Sequence, residues 1–223
     1  MPDDISVSLE NGATTTTAQY VATDPAGALL VLAHGAGAGQ RHPFMVSMAK
    51  ALARRGIDVM TFNFPYMEQK RRAPDRAPVL ESCYRAVVAA ALDRDSWRGR
   101  SLFIGGKSMG GRMATHLAAH GVERLAGVIA LGYPLHPPGK PQQMRSAHLP
   151  EITAPVLIVQ GERDAFGTPA ELASVIETMG APVTLHVVPG GDHSLAVRGQ
   201  SKTEALESIA SVVGDWISAR RAG

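Results

Sequence analysis

Gly105-Gly106-Lys107-Ser108-Met109-Gly110-Gly111 is the stretch whose reading decides the fold. It contains G-x-S-x-G, and its neighbours supply the context that this pattern needs. A β-type run, 101–104, precedes it. A helical run, 108–120, follows and is stopped by Gly121. A serine at so sharp a strand-to-helix turn stands above the sheet edge, next to the partial positive charge of a helix N-terminus. Small residues must flank it, because a β-carbon there would meet the strand or the helix. A Gly-rich turn that only packs a helix closely onto a sheet would look similar, so the rest of the chain has to distinguish the two.

Outward from the serine, short β-type runs alternate with longer helical ones. Strands are predicted over 28–33, 57–62, 101–104, 128–131, 156–160 and 183–187. Helices are predicted over 43–55, 79–92, 108–120, 169–179 and 203–219. Run 28–33 is continuously apolar, as in a strand covered on both faces. This alternation implies right-handed crossovers and a mainly parallel sheet flanked by helices. Residues 5–9 alternate apolar and polar, and 18–22 can pair with them across an Asn11-Gly12 turn, giving an antiparallel N-terminal edge. Residues 65–78 read as loop. So does the proline-rich stretch 133–153, too short for a substantial cap, so the site is expected to be shallow and open. Nothing resembles a linker, and residues 1–223 are read as one domain.

Composition narrows the function classes. The chain has 223 residues, 45% of them hydrophobic and 19% charged, with a formal net charge of +2. Disorder, collagen and coiled coil do not fit these values. The charge is too near zero to imply a nucleic-acid or membrane partner. The single cysteine, Cys83, rules out an intramolecular disulfide. The first residues are acidic and lack the regions of a signal peptide, and no apolar run approaches a membrane span. A cytoplasmic location is expected.

An activated serine needs a base, and the base needs an orienting acid. Asp164 follows strand 156–160, and His193 follows strand 183–187 within Gly190-Gly191-Asp192-His193-Ser194. Both stand at carboxyl ends of parallel strands, the edge where Ser108 emerges. Glu162 and Asp192 are the competing acids. Asp192 adjoins His193, where side chains seldom face each other, and suits holding the histidine loop. Asp164 is preferred for its loop position. His34-Gly35-Ala36-Gly37-Ala38-Gly39 follows strand 28–33, where backbone N–H groups could receive an oxyanion. Met109 and Ala36 are the chosen donors, with Gly35 the alternative to Ala36. The glycine spacing does not give G-x-G-x-x-G, and Asp58 precedes its strand rather than ending it, so a dinucleotide is disfavoured. His34, Lys107 and Tyr66 are candidate lining residues, with His34 also suited to anchoring its loop.

Other features take plainer readings. His116 and His120 have zinc-compatible spacing but no evident third ligand. Cys83 reads as a packed residue. Lys70-Arg71-Arg72 with Arg76 reads as a solvated loop, with attraction of an anionic substrate as the functional alternative.

These motifs, with Phe62-Asn63-Phe64-Pro65-Tyr66 and Tyr133-Pro134-Leu135-His136-Pro137-Pro138-Gly139-Lys140, carry a resemblance. From about Ala28 to Trp216 the chain resembles the small α/β-hydrolase-fold proteins grouped with testis-expressed protein 30 and the NSL-complex subunit 3 hydrolase-like domain. It is more distantly similar to dienelactone hydrolases. The resemblance implies an α/β-hydrolase fold and a triad of Ser108, Asp164 and His193. Serine stands where typical dienelactone hydrolases have cysteine, which does not favour a dienelactone substrate. The expected activity is hydrolysis of a small-molecule carboxylic ester or thioester through an acyl-enzyme, with no metal or organic cofactor. The alternatives are a peptidase or amidase with the same triad, and a non-catalytic binding module with a protein partner.

Overall fold

The computed structural model describes residues 4–10 and 12–220. Eight strands form one sheet in the order β1-β2-β4-β3-β5-β6-β7-β8. They are β1 (Asp4–Ser8), β2 (Thr14–Tyr20), β3 (Ala28–Ala33), β4 (Ile57–Phe62), β5 (Ser101–Lys107), β6 (Leu125–Leu131), β7 (Val156–Gly161) and β8 (Val183–Val188). β4, β3, β5, β6, β7 and β8 run parallel. β2 pairs antiparallel with β4, and β1 antiparallel with β2. The helices are α1 (Pro43–Ala53), α2 (Pro65–Glu68), α3 (Ala77–Leu92), α4 (Met109–Ala119), α5 (Pro169–Ile176) and α6 (Lys202–Ser218).

The sheet separates two apolar layers. Because strand side chains alternate faces, Leu29, Val31 and Ala33 of β3 join one layer with Leu80, Tyr84 and Val87 of α3 and Met113 and Leu117 of α4. Leu30 and Leu32 join the other, with Met45, Met48 and Leu52 of α1 and Ile209, Val213 and Trp216 of α6. Every residue of β3, β4 and β7 is buried. Coverage on both faces is why these strands read as unbroken or nearly unbroken apolar runs.

β2 departs from expectation. It begins at Thr14 rather than residue 18, so the threonine run is strand. Threonine is β-branched and suits a pleated surface. Thr15 and Thr17 are buried, yet their hydroxyls donate to the carbonyls of Asn63 and Ile5. Buried threonines with satisfied hydroxyls leave no hydrophobic alternation to read over 14–17. The hairpin closes through Leu9 N–H to the Ala13 carbonyl (2.8 Å) and Gly12 N–H to the Leu9 carbonyl (2.9 Å); Asn11 of the expected turn lies outside the described residues.

Three further differences are local. The short helix α2 stands inside the expected loop 65–78, opened by Pro65 at its first position. β5 continues through Gly105 and Gly106 to Lys107, glycines that carry little strand signal. Asp58 lies within β4, near its N-terminal end and so away from the serine edge. It pairs with Arg100 at 2.7 Å and accepts Ala22 N–H at 2.8 Å. Residues 133–153 hold one 3₁₀ turn, Leu149–Glu151, and among the described residues no large cap covers the carboxyl edge of the sheet.

Candidate active site

Ser108 sits between β5 and α4 with φ 49° and ψ −115°. A non-glycine residue there costs about 1–3 kcal/mol and persists only where its surroundings enforce it. They do so here. Ser108 N–H donates to the Leu131 carbonyl (2.9 Å), and its carbonyl accepts Arg112 N–H (3.0 Å). β5, α4 and the end of β3 approach so closely that a β-carbon on Gly106 would lie 2.5 Å from the Gly110 carbonyl carbon and 2.6 Å from Ala33 O. The flanking glycines are therefore a condition of the turn.

Ser108 Oγ lies 2.8 Å from His193 Nε2. On the other side of the imidazole, Nδ1 is 2.8 Å from Asp164 Oδ2 and 3.0 Å from Oδ1. Asp164 is buried and already accepts Phe166 N–H on Oδ1 (2.8 Å) and the Gln160 amide on Oδ2 (2.9 Å). A carboxylate that is only accepting requires the proton on Nδ1, which leaves Nε2 free to accept from the serine hydroxyl. The Phe166 ring stacks on the imidazole, with centroids 4.0 Å apart and planes inclined by 28°.

The histidine loop is held independently. Asp192 Oδ1 accepts the N–H groups of Ser194 (2.8 Å) and Ala196 (3.1 Å), and Glu162 accepts Gly190 N–H (2.7 Å). Both competing acids are thus engaged with backbone. Lys107 Nζ donates to the His193 carbonyl. Burial pulls the Lys107 ammonium down to about 8, against the opposing pull of Asp164 and Asp192. Lys107 borders the cleft, but its charged end is engaged by this loop.

The His34–Gly39 loop faces the serine. A β-carbon on Gly35 would lie 3.7 Å from Ser108 Cβ. Two expected lining residues, His34 and Tyr66, are fully buried beneath this loop instead. His34 Nδ1 donates to the Gly35 carbonyl (2.8 Å), and Nε2 accepts Phe64 N–H (3.0 Å). The Tyr66 hydroxyl donates to the Ala36 carbonyl (2.9 Å). These hydrogen bonds, to the loop and to Phe64, engage both side chains, which is why neither reaches the cleft. Met109, the first residue of α4, has an N–H with no acceptor one turn back in the helix.

Gln160 and Phe166 were not singled out by sequence reasoning. Gln160 was visible as a polar residue ending the otherwise apolar run of β7. Its amide reaches Asp164 Oδ2, the Tyr133 carbonyl (3.2 Å) and the Gly167 carbonyl (2.8 Å), while its oxygen accepts Tyr133 N–H (2.7 Å). Phe166 carried no signal. The cleft above Ser108 encloses about 630 Å³ and is walled by Ala36, Phe44, Met109, Pro134 and Phe166 among others. His116 and His120 face Glu81 at 3.2 and 3.4 Å, away from this cleft. Cys83 is buried, which pushes its thiol up to about 12.

The buried His34 has a consequence for acid stability. Burial lowers it from 6.5 to about 4. Between those values the unfolded chain takes up a proton that the folded chain refuses. Stability is therefore full above pH 6.5 and is lost as the pH falls toward 4. His34 alone should remove roughly 2 kcal/mol by pH 5. Burial also lowers His116 to about 4 and His148 to about 3, which adds to the loss. Urea midpoints at pH 7.5 and pH 5 would check this, and equal midpoints would contradict it.

With the geometry in view, sequence comparison is decisive about kinship. The family model described as "Alpha/beta hydrolase domain" matches residues 26–219. The chain belongs to that family. Solved structures share the alpha/beta hydrolase fold at low identity. A dienelactone hydrolase from Anabaena variabilis is 18% identical, covering 100% of this chain and 99% of its own, with TM-score 0.81. Est1E from Butyrivibrio proteoclasticus, solved with ferulic acid, is 15% identical over 97% and 98% of the two chains, with TM-score 0.79. A serine hydrolase without lid from Xanthomonas campestris is 19% identical over 96% and 94%, with TM-score 0.73. Family membership and the esterase and dienelactone hydrolase neighbours support a hydrolase. Among the described residues, no helix is long and apolar enough to cross a membrane.

Proposed function

We propose that this alpha/beta hydrolase is a serine hydrolase that cleaves a small-molecule carboxylic ester or thioester. The observation that carries the reading is the unbroken chain from Ser108 Oγ through His193 to Asp164, with 2.8 Å at each link, at the mouth of an open cleft. Ser108 attacks the carbonyl carbon while His193 Nε2 takes its proton. Asp164 holds the imidazole and stabilises its charged form. The oxyanion accepts from the N–H groups of Met109 and Ala36, each worth about 3–4 kcal/mol in the transition state. His193 then protonates the leaving group. Water, activated by the same histidine, releases the acid from the acyl-enzyme. The reaction written this way uses no metal or organic cofactor. The narrower kinship with the testis-expressed protein 30 and NSL-complex subunit 3 group belongs to this reading, as does a cytoplasmic setting without nucleic-acid or membrane partners. Absence of a large cap favours short or surface-presented esters over long buried acyl chains.

Fluorophosphonate labelling read by intact mass tests the proposal. Wild type should gain one adduct, and Ser108→Ala and His193→Ala should gain none. Folded wild type that stays unlabelled would overturn it and favour a binding module on the same fold.

A further inference from the structure

Two guanidiniums border the same cleft as Ser108, and the proposed mechanism uses neither. Arg112 stands one turn along α4 from Ser108, about 6 Å in helix rise, and long helical side chains lean back toward the N-terminus. Its Nε is shielded from water and has no hydrogen-bond acceptor among the described residues. Arg145 comes from the segment between β6 and β7 and lines the same cleft. Its backbone is pinned there, with N–H donating to the Leu135 carbonyl (2.8 Å) and carbonyl accepting the Tyr133 hydroxyl (2.7 Å). Arg112 sits in the repulsive field of Arg145, which together with the larger effect of burial holds its guanidinium below the ordinary value.

The acids nearby do not resolve this. Asp75 borders the cleft but pairs with Arg71. Glu81, whose field reaches Arg112, is engaged by His116 and His120. Lys107 is committed to the His193 carbonyl, and His42 Nδ1 accepts Phe44 N–H at the start of α1. Among the described residues, neither Arg112 nor Arg145 forms an ion pair with a side chain. Two like charges that border one open cleft, with no carboxylate paired to either among the described residues, are an arrangement that an anionic ligand relieves.

We propose that Arg112 and Arg145 form a carboxylate subsite, so that the ester or thioester cleaved at Ser108 carries a carboxylate a few bonds from the scissile carbonyl. This deepens the hydrolase reading and rests on it for the chemistry, but not for the binding.

Matched pairs of esters test it. Mono-p-nitrophenyl adipate against p-nitrophenyl hexanoate places the charge in the acyl part. The acetyl ester of 3-hydroxybenzoate against that of its methyl ester places the charge in the leaving group. In at least one pair the anionic ester should have kcat/KM roughly 10–100-fold higher at low salt, as expected of charge-assisted hydrogen bonds. That ratio should fall toward one in Arg112→Gln and Arg145→Gln, and Arg145→Lys should restore part of it. A ratio measured on one sample is independent of the fraction folded. No preference in either pair, or a preference that both glutamine variants retain, overturns the subsite. If wild type hydrolyses no ester and takes no fluorophosphonate, the hydrolase reading fails by itself. Binding of adipate dianion to Ser108→Ala, followed by thermal shift, then decides the subsite alone. Stabilisation lost on adding Arg145→Gln supports it. No stabilisation, or stabilisation by inorganic phosphate only, overturns it.

Discussion

Asp164→Asn is expected to lower kcat/KM for a simple ester by about 10³–10⁴-fold while leaving the fold intact. Both oxygens of Asp164 accept at once, from His193 Nδ1, Phe166 N–H and the Gln160 amide. An asparagine has one accepting oxygen. Phe166 N–H and Gln160 compete for it, which turns the new NH₂ toward His193. Nδ1 must then accept, and the proton moves to Nε2, where it faces the serine hydroxyl. The Ser108 hydroxyl then has no acceptor for its proton, which removes the base of the proposed mechanism. The competing acids predict a different pattern. Glu162→Gln and Asp192→Asn remove contacts to backbone N–H groups of the histidine loop, so each should cost less than about 10-fold. Rates on p-nitrophenyl acetate and phosphonate labelling rates for the three variants would check this. An Asp192→Asn defect as severe as that of Asp164→Asn would remove Asp164 from its proposed role.

The second large effect concerns folding. Gly110→Ala should destabilise the protein by more than about 4 kcal/mol, or prevent recovery of folded protein. Its new β-carbon would lie 2.4 Å from Ala33 O, 2.6 Å from Ala33 C and 2.7 Å from His34 O. All three are backbone atoms at the junction of β3 with its following loop, so no side chain can turn aside. Either α4 lifts from the sheet, or β3 shifts against β5. Gly37→Ala makes the comparison, because nothing lies within 4 Å of its β-carbon. It should change stability by less than about 0.5 kcal/mol. Urea unfolding of both variants is the measurement, and a Gly110→Ala midpoint close to wild type would refute the steric account.

Legibility differed from element to element for physical reasons. β3 and β4 span 28–33 and 57–62, as predicted, because strands covered on both faces are predominantly apolar, with Asp58 and Thr61 the exceptions in β4, and their ends are marked by polar residues or glycine. The elbow was legible because a serine at positive φ, squeezed between strand and helix, demands glycines at fixed spacing. The placement of Asp164 and His193 followed from strand order alone, since parallel strands deliver their carboxyl ends to one edge. The start of β2 was misplaced because its first four residues are threonines, which write no hydrophobic period.

Local pattern therefore determined the sheet, its parallel run, the turn that raises Ser108, and the edge at which three polar residues gather. Tertiary structure alone decided which partners those residues take. That His34 and Tyr66 turn under their loop, that Gln160 and Phe166 hold Asp164 and His193, and that Arg112 and Arg145 border one cleft depend on contacts between distant segments. Backbone periodicity follows from bonds within a few residues and can be read along the chain. Side-chain pairing depends on distances set only when the layers close, and no local spacing encodes it.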